Sequence, residues 1–447
     1  MRKFVILSIL LIPLAAFNLS AKPEKNTEKK CSTFFKRVLK GEYAAAPHKA
    51  FNFNQLQFYR KLVWNSWKEA NAKVFGHAFP TLDTLTTKTT GQWEIPAELE
   101  PNATMPYYWG YKGSQPEDGY PFFLYIHGSG PKEQEWETGY KLALLFEDSP
   151  SLYFVPQIPN EGPWYRWWQK GKQYAWDKLL RNLLLRNDVN HNRLYLFGIS
   201  EGGYGSQRLA SFYADYWAAA GPMAGGEPLK NTPTENLSNI AFSLRTGAED
   251  TGFYRNVLTK YTQESLDSLH KITPEFFHHH VELIPHRKHH IDYRPTTPWL
   301  SKFTRNPSPH HFIWEDFEMD GLHRKGFYNL YIQERACDSI RTRYDVDIAD
   351  NKINVRVQNV EYTTTEKDSI FGIEMKFNRK YTEASKGKFT IFLNEHLVDL
   401  KRPVEVRVNG KLIYKDYLTL DLQNILLSTS VFYDPERLFP AAVKVIL

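Results

Sequence analysis

The stretch RLYLFGISEGGYGSQRLASF, residues 193–212, decides the fold of this chain. Its apolar first part predicts a buried strand, and its second part has the composition of a helix. Ser200 lies between the two, with Gly198 and Gly202 at the outer positions of a G-x-S-x-G motif. Small residues there allow a serine to occupy a very sharp strand-to-helix turn. The stretch therefore predicts a nucleophilic serine between a strand and a helix.

Strands and helices alternate on both sides of this turn. The apolar segments FFLYI, IAFSLRTG and VELIP read as buried strands with helical segments between them. Such alternation is typical of a parallel sheet with helices on both faces. Near Pro307 the pattern changes to short alternating segments, and Asn409-Gly410 predicts a hairpin turn. We predict an α/β catalytic domain over residues 91–304 and a separate, β-rich accessory domain over residues 305–447.

The loop HGSG follows the predicted strand FFLYI and begins at His127. An enzyme that transfers acyl groups needs backbone N–H groups directed at the tetrahedral oxygen, one from the residue after the nucleophile and one from an earlier loop. We predict an oxyanion hole formed by the backbone of Ser129 and Glu201.

The order of a catalytic triad on this kind of fold is Ser, then an acid, then His. Asp250 follows the predicted strand IAFSLRTG and is the preferred acid, with Glu249 as the alternative. The loop after VELIP contains three histidines, and the base must take the hydroxyl proton and return it to the leaving group. We prefer His289 as the base, with His290 second and His286 third.

The segments DVNHNRLYLFGISEGGYGSQRLA and LYIHGSGP resemble the α/β-hydrolase superfamily. Within it they are similar to the polyhydroxybutyrate-depolymerase-like, esterase D-like and prolyl-oligopeptidase-like branches, over about residues 91–304. The resemblance implies the α/β-hydrolase fold and a Ser-His-Asp hydrolase without a cofactor. It also implies substrates that are often esters of plant polysaccharides or short acyl esters. Family members often have a glycine beside the catalytic histidine, where this chain has Lys288 and His290.

Three tryptophans, Trp164, Trp167 and Trp168, follow the predicted strand SLYFVPQIP at the same edge of the sheet. Aromatic rings in a cleft stack on sugar rings or aryl groups, so we predict that these residues bind substrate. Packing in the core is the alternative. The histidine runs at 278–280 and 310–311 lack the spacing of metal ligands, so we predict no metal site.

The first residues, 1–21, consist of a basic start, an apolar run and small residues, which is the pattern of a cleaved signal peptide. The run is shorter than the roughly 20 residues of a membrane span. We therefore predict an exported protein, periplasmic or extracellular, with no span in its mature form. Residues 22–90 read as a charged tether followed by a helical segment. Cys31 and Cys337 are predicted to be unpaired.

The chain of 447 residues has a net charge of +6 and is 42% hydrophobic, which is enough to build a core. No dense basic block with interleaved aromatics is present, so we expect no nucleic-acid partner. The predicted function is hydrolysis of a carboxylic ester, on a small molecule or on the acyl groups of a polysaccharide, through an acyl-enzyme on Ser200. The alternatives are a serine peptidase of prolyl-oligopeptidase type and a catalytically inactive glycan-binding protein.

Overall fold

The computed structural model of the protein describes residues 25–447. The segment predicted to be a signal peptide, residues 1–21, lies outside this range. Within the range, no helix has both the length and the apolar character that crossing a membrane requires.

Two helices precede the central sheet: α1 (Lys25–Leu39) and α2 (Leu56–Phe75). They pack together through Phe35 and Trp67, whose ring centroids are 5.0 Å apart. The prediction of a charged tether before the helical segment is therefore wrong from Lys25 onward. The charged residues lie on the exposed side of α1, while its apolar residues are buried against α2.

The central sheet has eight strands in the order β1-β2-β4-β3-β5-β6-β7-β8. The strand β2 is antiparallel to both of its neighbours, and the strands from β3 to β8 are parallel. Along β5, Leu194 and Leu196 enter one buried cluster, and Tyr195 and Phe197 enter another on the opposite face. The strands are β1 (Thr90–Glu94), β2 (Thr104–Lys112), β3 (Tyr120–Ile126), β4 (Ser151–Pro156), β5 (Val189–Ile199), β6 (Ala219–Met223), β7 (Ala241–Gly247) and β8 (His279–Ile284).

Helices cover both faces of this sheet. Residues of α3 and α7 belong to one buried cluster, and residues of α4, α5 and α6 belong to the other. This strand order, with an antiparallel second strand and helices on both faces, is the α/β-hydrolase fold, which confirms the predicted fold class. The helices are α3 (Lys132–Leu145), α4 (Lys170–Leu183), α5 (Glu201–Phe212), α6 (Arg255–Ile272) and α7 (Thr296–Leu300).

The C-terminal region is rich in strands, as predicted, and forms two further sheets. One has the order β17-β16-β13-β12-β9 with β14 paired to β13, and the other has the order β10-β11-β15-β18. It also contains a helix, α8, which the sequence did not predict. The elements are β9 (His311–Asp316), β10 (Gly326–Phe327), β11 (Leu330–Glu334), β12 (Arg341–Ala349), β13 (Lys352–Lys367), β14 (Glu374–Glu383), β15 (Lys388–Leu393), β16 (Val404–Val408), β17 (Lys411–Asp416), α8 (Leu422–Phe432) and β18 (Ala441–Ile446).

The C-terminal region shares its core with the rest of the molecule. One buried cluster runs from α1 and α2 through the central sheet to β18. Ion pairs to the buried carboxylate of Asp215 cross the same boundary, with Arg437 at 2.6 Å and Arg324 at 3.0 Å. The predicted boundary near residue 305 therefore separates sheets that are packed on a common core, and the exact domain limits stay a prediction.

Candidate active site

Ser200 lies between β5 and α5 on a strained turn. Its φ of 59° and ψ of −112° are outside the regions usual for a residue with a side chain. A Cβ on Gly198 would lie 2.4 Å from the carbonyl oxygen of Gly202, and one on Gly202 would lie 2.0 Å from that of Ile126. Both outer positions of the motif therefore require glycine, because no side chain fits between the turn and β3.

The structure brings Ser200, His289 and Asp250 together in one hydrogen-bonded chain. Nε2 of His289 is 2.9 Å from Oγ of Ser200, and Nδ1 of His289 is 2.7 Å from Oδ2 of Asp250. An ionised carboxylate can only accept, so Nδ1 carries the hydrogen and Nε2 is free to accept that of the serine. This is the arrangement of nucleophile, base and orienting acid that acyl transfer on a serine requires.

Backbone contacts between two loops determine which histidine reaches the serine. At Gly247, the end of β7, a Cβ would lie 2.0 Å from the carbonyl oxygen of Lys288. The N–H of Glu249 donates to the carbonyl of Arg287 at 2.9 Å. The loop after β8 is thus pressed against the loop after β7, and the histidine that follows Lys288 ends beside the acid.

The alternatives left open by the sequence lie outside this chain of hydrogen bonds. The side chain of His286 is 95% exposed and faces Glu249 at 3.7 Å, and that of Glu249 is 51% exposed. His290 is also exposed, and its ring lies beside that of His289 with centroids 6.1 Å apart. The geometry therefore favours His289 as the base and Asp250 as its acid.

The carboxylate of Asp250 is buried, and a cation engages its second oxygen. Nη1 of Arg255 donates to Oδ1 of Asp250 at 3.0 Å. Burial raises the pKa of Asp250, but the hydrogen bond from His289 and the charge of Arg255 outweigh burial, so this pKa lies below its usual value. The carboxylate stays ionised at neutral pH and can stabilise a protonated His289.

The loop after β3 passes directly beside the serine. A Cβ on Gly128 would lie 3.4 Å from Cβ of Ser200. The carbonyl of Gly128 accepts from the hydroxyl of Tyr165 and from Nδ1 of His127, each at 2.8 Å. Because C=O and N–H point in opposite directions in a trans peptide, the N–H of Ser129 points away from these two side chains. Tyr165 and His127 thus set the direction of the N–H of Ser129.

The imidazole of His127 is a fixed structural donor. Its Nε2 accepts from the N–H of Ile158 at 3.0 Å, which places the hydrogen on Nδ1. Burial lowers the pKa of His127 to about 4, so the ring is neutral under physiological conditions. A neutral ring in one tautomer keeps the loop after β3 in one orientation.

The serine opens into a cavity of about 700 Å³, within the usual size range of ligand sites. Ser129 and Glu201, the predicted oxyanion residues, line it beside Ser200. The turn between β13 and β14 forms a further part of its wall. The other lining residues that bear on its chemistry are Arg166, Trp168, Tyr204, Arg208, Glu227, Phe253, Arg255 and Leu258.

The three tryptophans predicted to bind substrate have different positions. Trp168 lines the cavity, and the guanidinium of Arg208 stacks on its ring at 3.9 Å from the centroid. Trp167 is fully buried, and its Nε1 donates to the carbonyl of His127 at 2.9 Å. The prediction for Trp167 is therefore wrong, because its ring supports the loop after β3 from inside the core. Trp164 is half-buried and does not belong to the lining of the cavity.

The carboxylate of Glu201 is buried in the cavity wall and has few polar partners. Oε2 lies 3.5 Å from Nη1 of Arg166, and Oε1 has no hydrogen-bond partner among the described residues. Burial raises the pKa of Glu201 to about 7 against the opposing charge of Arg166. Nε of Arg255, which also lines the cavity, is likewise buried without a hydrogen-bond partner within residues 25–447. Polar groups left in this way are completed by water or by a ligand.

One group of side chains within residues 25–447 could share a metal ion, and it lies in the C-terminal region. The ligand atoms of His311, Asp345 and Asp347 are within 4.8 Å of one another. Asp345 is also 3.1 Å from Arg356 and 3.7 Å from Arg343. The guanidinium groups oppose the approach of a cation, so we assign no metal to this group.

Sequence reasoning missed three contributors to the site. Tyr165 lies among the predicted tryptophans, but its hydroxyl holds the carbonyl of Gly128. Arg255 follows Asp250 closely along the chain, and the need of a buried carboxylate for partners was the signal that could have revealed it. The residues of the β13–β14 turn, such as Phe371, carry no local signal, because only a long-range contact places them at the cavity.

No protein-family model and no curated protein matches the chain. Among solved structures, a thermostable esterase has 19% identity over 48% of this chain, with a TM-score of 0.38. The match spans 63% of that esterase, which is less than two thirds of its length. A ferulic acid esterase from Anaeromyces mucronatus has 14% identity over 48% of this chain and 87% of its own, with a TM-score of 0.34. FphF, a fluorophosphonate-binding serine hydrolase of Staphylococcus aureus, has 12% identity over 47% of this chain and 97% of its own, with a TM-score of 0.35. The chain is similar to these proteins over about half of its length.

Proposed function

We propose that the protein is a serine hydrolase that cleaves carboxylic esters. The observation that carries the proposal is the chain of hydrogen bonds from Ser200 through His289 to Asp250, with distances of 2.9 Å and 2.7 Å. The nucleophile, its base and the acid come together from three separate loops at one edge of the sheet, and Ser200 lines a cavity of about 700 Å³. Packing alone gives no reason for such a meeting.

In the first half of the reaction, Nε2 of His289 takes the hydroxyl proton while Oγ of Ser200 forms a bond to the acyl carbon. The ionised Asp250 stabilises the imidazolium without itself taking the proton. The tetrahedral intermediate collapses, His289 gives its proton to the departing alkoxide, and an alcohol leaves. In the second half, His289 activates water against the acyl-serine, and the carboxylic acid is released.

The negative oxygen of the intermediate needs fixed donors. We propose the backbone N–H groups of Ser129 and Glu201. Glu201 is the first residue of α5, where the N–H groups of a helix end point outward and the dipole favours negative charge. Tyr165 and His127 hold the preceding carbonyl of Gly128, so the N–H of Ser129 needs no rearrangement during the reaction.

The charges in the cavity support ester hydrolysis over release of amino-terminal peptides. A peptidase that binds a free ammonium group needs an available carboxylate. Both oxygens of Glu227 are engaged by Arg208, at 2.7 Å and 2.9 Å. Glu201 is accompanied by Arg166 and has a raised pKa. Each carboxylate therefore already has a guanidinium partner and is not available to a substrate amine.

The experiment uses the purified full-length chain with p-nitrophenyl acetate, together with S200A, H289A and H286A. His286 is the matched control, because it is in the same loop as His289 but almost fully exposed. We expect S200A and H289A to lose activity by about 10⁴-fold or more, and H286A to stay within twofold of the wild type. Full activity in S200A would contradict the mechanism, and turnover of aminoacyl amides without turnover of esters would identify a peptidase. No turnover of either substrate class would favour the inactive glycan-binding alternative.

We further propose that the chain is exported and that its substrates include acyl groups on polysaccharides. Export is supported by the composition of residues 1–21. Cell fractionation with an antibody against the folded part of the chain tests it, and a purely cytoplasmic signal would overturn it. Release of acid from acetylated xylan, compared with a small acetate ester, tests the substrate proposal.

A further inference from the structure

The turn between β13 and β14 closes one side of the catalytic cavity. Phe371, Ile373 and Glu374 of this turn and of the start of β14 line the cavity together with Ser200. Both strands belong to a sheet of the C-terminal region. The C-terminal region therefore contributes directly to the space in which the substrate binds.

An aromatic pair lies where this turn meets the loop that holds the catalytic acid. The rings of Phe253 and Phe371 have centroids 4.5 Å apart, and the two residues are 45% and 51% exposed. Phe253 and Tyr254 both have positive φ, 52° and 57°, which is unfavourable for side chains of this size. Such strain persists only where the surroundings fix it, often at a ligand site. The loop thus holds an apolar ring at the cavity instead of burying it in the core.

Two polar contacts anchor the turn to the catalytic part of the molecule. The hydroxyl of Tyr254 donates to Oδ1 of Asp368 at 2.8 Å, and Nζ of Lys230 is 2.8 Å from Oε2 of Glu374. Oδ2 of Asp368 accepts from the N–H of Phe371 in the same turn. The position of Phe371 over the cavity is therefore fixed from both sides.

We propose that Phe253 and Phe371 form a subsite for a large, planar apolar group of the ester that Ser200 cleaves. The inference rests on the proposed esterase function and names its substrate class. The two rings belong to the same cavity as the serine, and Leu258 and Ile373 extend their apolar surface. Half-exposed rings gain most by packing against a flat apolar group, which removes both surfaces from water. An acetyl group alone leaves most of the cavity of about 700 Å³ to water.

The experiment compares methyl acetate, benzyl acetate and methyl 3-phenylpropanoate by pH-stat. The aromatic group is absent from the first ester, lies on the alcohol side of the second and lies on the acyl side of the third. The variants are F371A and I370A in the full-length chain. Ile370 is the matched control, because it is in the same turn, is 75% exposed and does not line the cavity. We expect the wild type to prefer at least one of the aromatic esters over methyl acetate by about 10-fold or more in kcat/KM. F371A should lose most of this preference, whereas I370A should keep it and leave kcat/KM for methyl acetate within twofold of the wild type.

The outcomes separate this inference from the proposed function. If the wild type cleaves methyl acetate in a Ser200-dependent way but F371A keeps the full preference, the subsite is refuted and the esterase stands. An equal loss in F371A and I370A also refutes the subsite, because it indicates a general effect on the turn. If no ester is cleaved by the wild type, both proposals fail. The variant Y254F should lose part of the preference, since it releases the turn without removing an apolar ring.

Discussion

The orientation of the loop after β3, the proposed oxyanion loop, depends in part on the hydroxyl of Tyr165, which a conservative substitution removes. In Y165F the ring and its packing remain, and the carbonyl of Gly128 loses the donor at 2.8 Å but keeps Nδ1 of His127. A buried hydrogen bond between neutral groups contributes about 1 kcal/mol. If all of it is expressed in the transition state, the rate falls about fivefold. Loss of an entire oxyanion donor costs about 10²- to 10³-fold, so the expected decrease in kcat for Y165F is about 3- to 10-fold.

The assay measures kcat and KM separately with p-nitrophenyl acetate and adds thermal unfolding. KM should stay within twofold, because the loop acts on the tetrahedral intermediate more than on the bound ester. The matched control is Y174F on α4, whose tyrosine is 38% exposed and lies outside the cavity lining. An unchanged kcat in Y165F would refute the positioning role of the hydroxyl. A decrease beyond 100-fold would refute it too, since it would indicate direct contact between the hydroxyl and the reacting groups.

Three further predictions concern the triad, Glu201 in the cavity wall and the turn at Ser200. D250N should lower kcat by about 10⁴-fold, because the amide no longer stabilises the imidazolium, and E249Q should stay within twofold, both measured with p-nitrophenyl acetate. With a pKa of about 7, Glu201 becomes negative in the same cavity as Ser200 as pH rises and opposes the charge of the tetrahedral intermediate, so kcat/KM of the wild type should fall above pH 7 and that of E201Q should not. The folded protein holds this proton more tightly than the unfolded chain does. The contribution of Glu201 to the free energy of unfolding should therefore decline from about pH 4.5 to about pH 7, and the urea midpoints of E201Q should lack that decline. G202A places a Cβ 2.0 Å from the carbonyl of Ile126 and should cost about 1–3 kcal/mol or more in urea unfolding, with loss of activity; wild-type stability would contradict the close packing.

The parts of the site that could be predicted from the sequence are those fixed by local physics. The turn at Ser200 needs glycine on both sides whatever the rest of the fold does, so its motif carries the information within five residues. The loop that begins at His127 could be predicted for the same reason, because it directly follows a strand that is buried along its whole length. The acid and the base were predicted from their order after successive strands. The choice of His289 over its neighbours rests on how two loops pack at Gly247, and no sequence pattern records that contact.

The contribution of the C-terminal region depends on long-range contacts. Phe371 is a solvent-exposed phenylalanine in a hairpin turn, and only the docking of that turn gives it a place in the cavity. The segment of α8 is apolar and short enough to suit a strand as well as a helix, so periodicity alone does not decide it. The charged start of α1 was interpreted as a tether because its buried apolar residues come after the first charges, beginning with Cys31 and Phe34.

Arg255 connects the acid to the proposed subsite, which has a consequence for how binding energy is used. Its guanidinium donates to Asp250 at 3.0 Å and lies 5.2 Å from the ring centroid of Phe253 and 5.6 Å from that of Tyr204. A group that packs against the rings of Phe253 and Phe371 therefore steadies the same short loop that holds the acid against the base. Small esters lack that contact, so they do not stabilise the strained backbone of this loop. The subsite should then increase kcat as well as reduce KM, because part of the energy of binding at the far end of the cavity is expressed in the orientation of the triad.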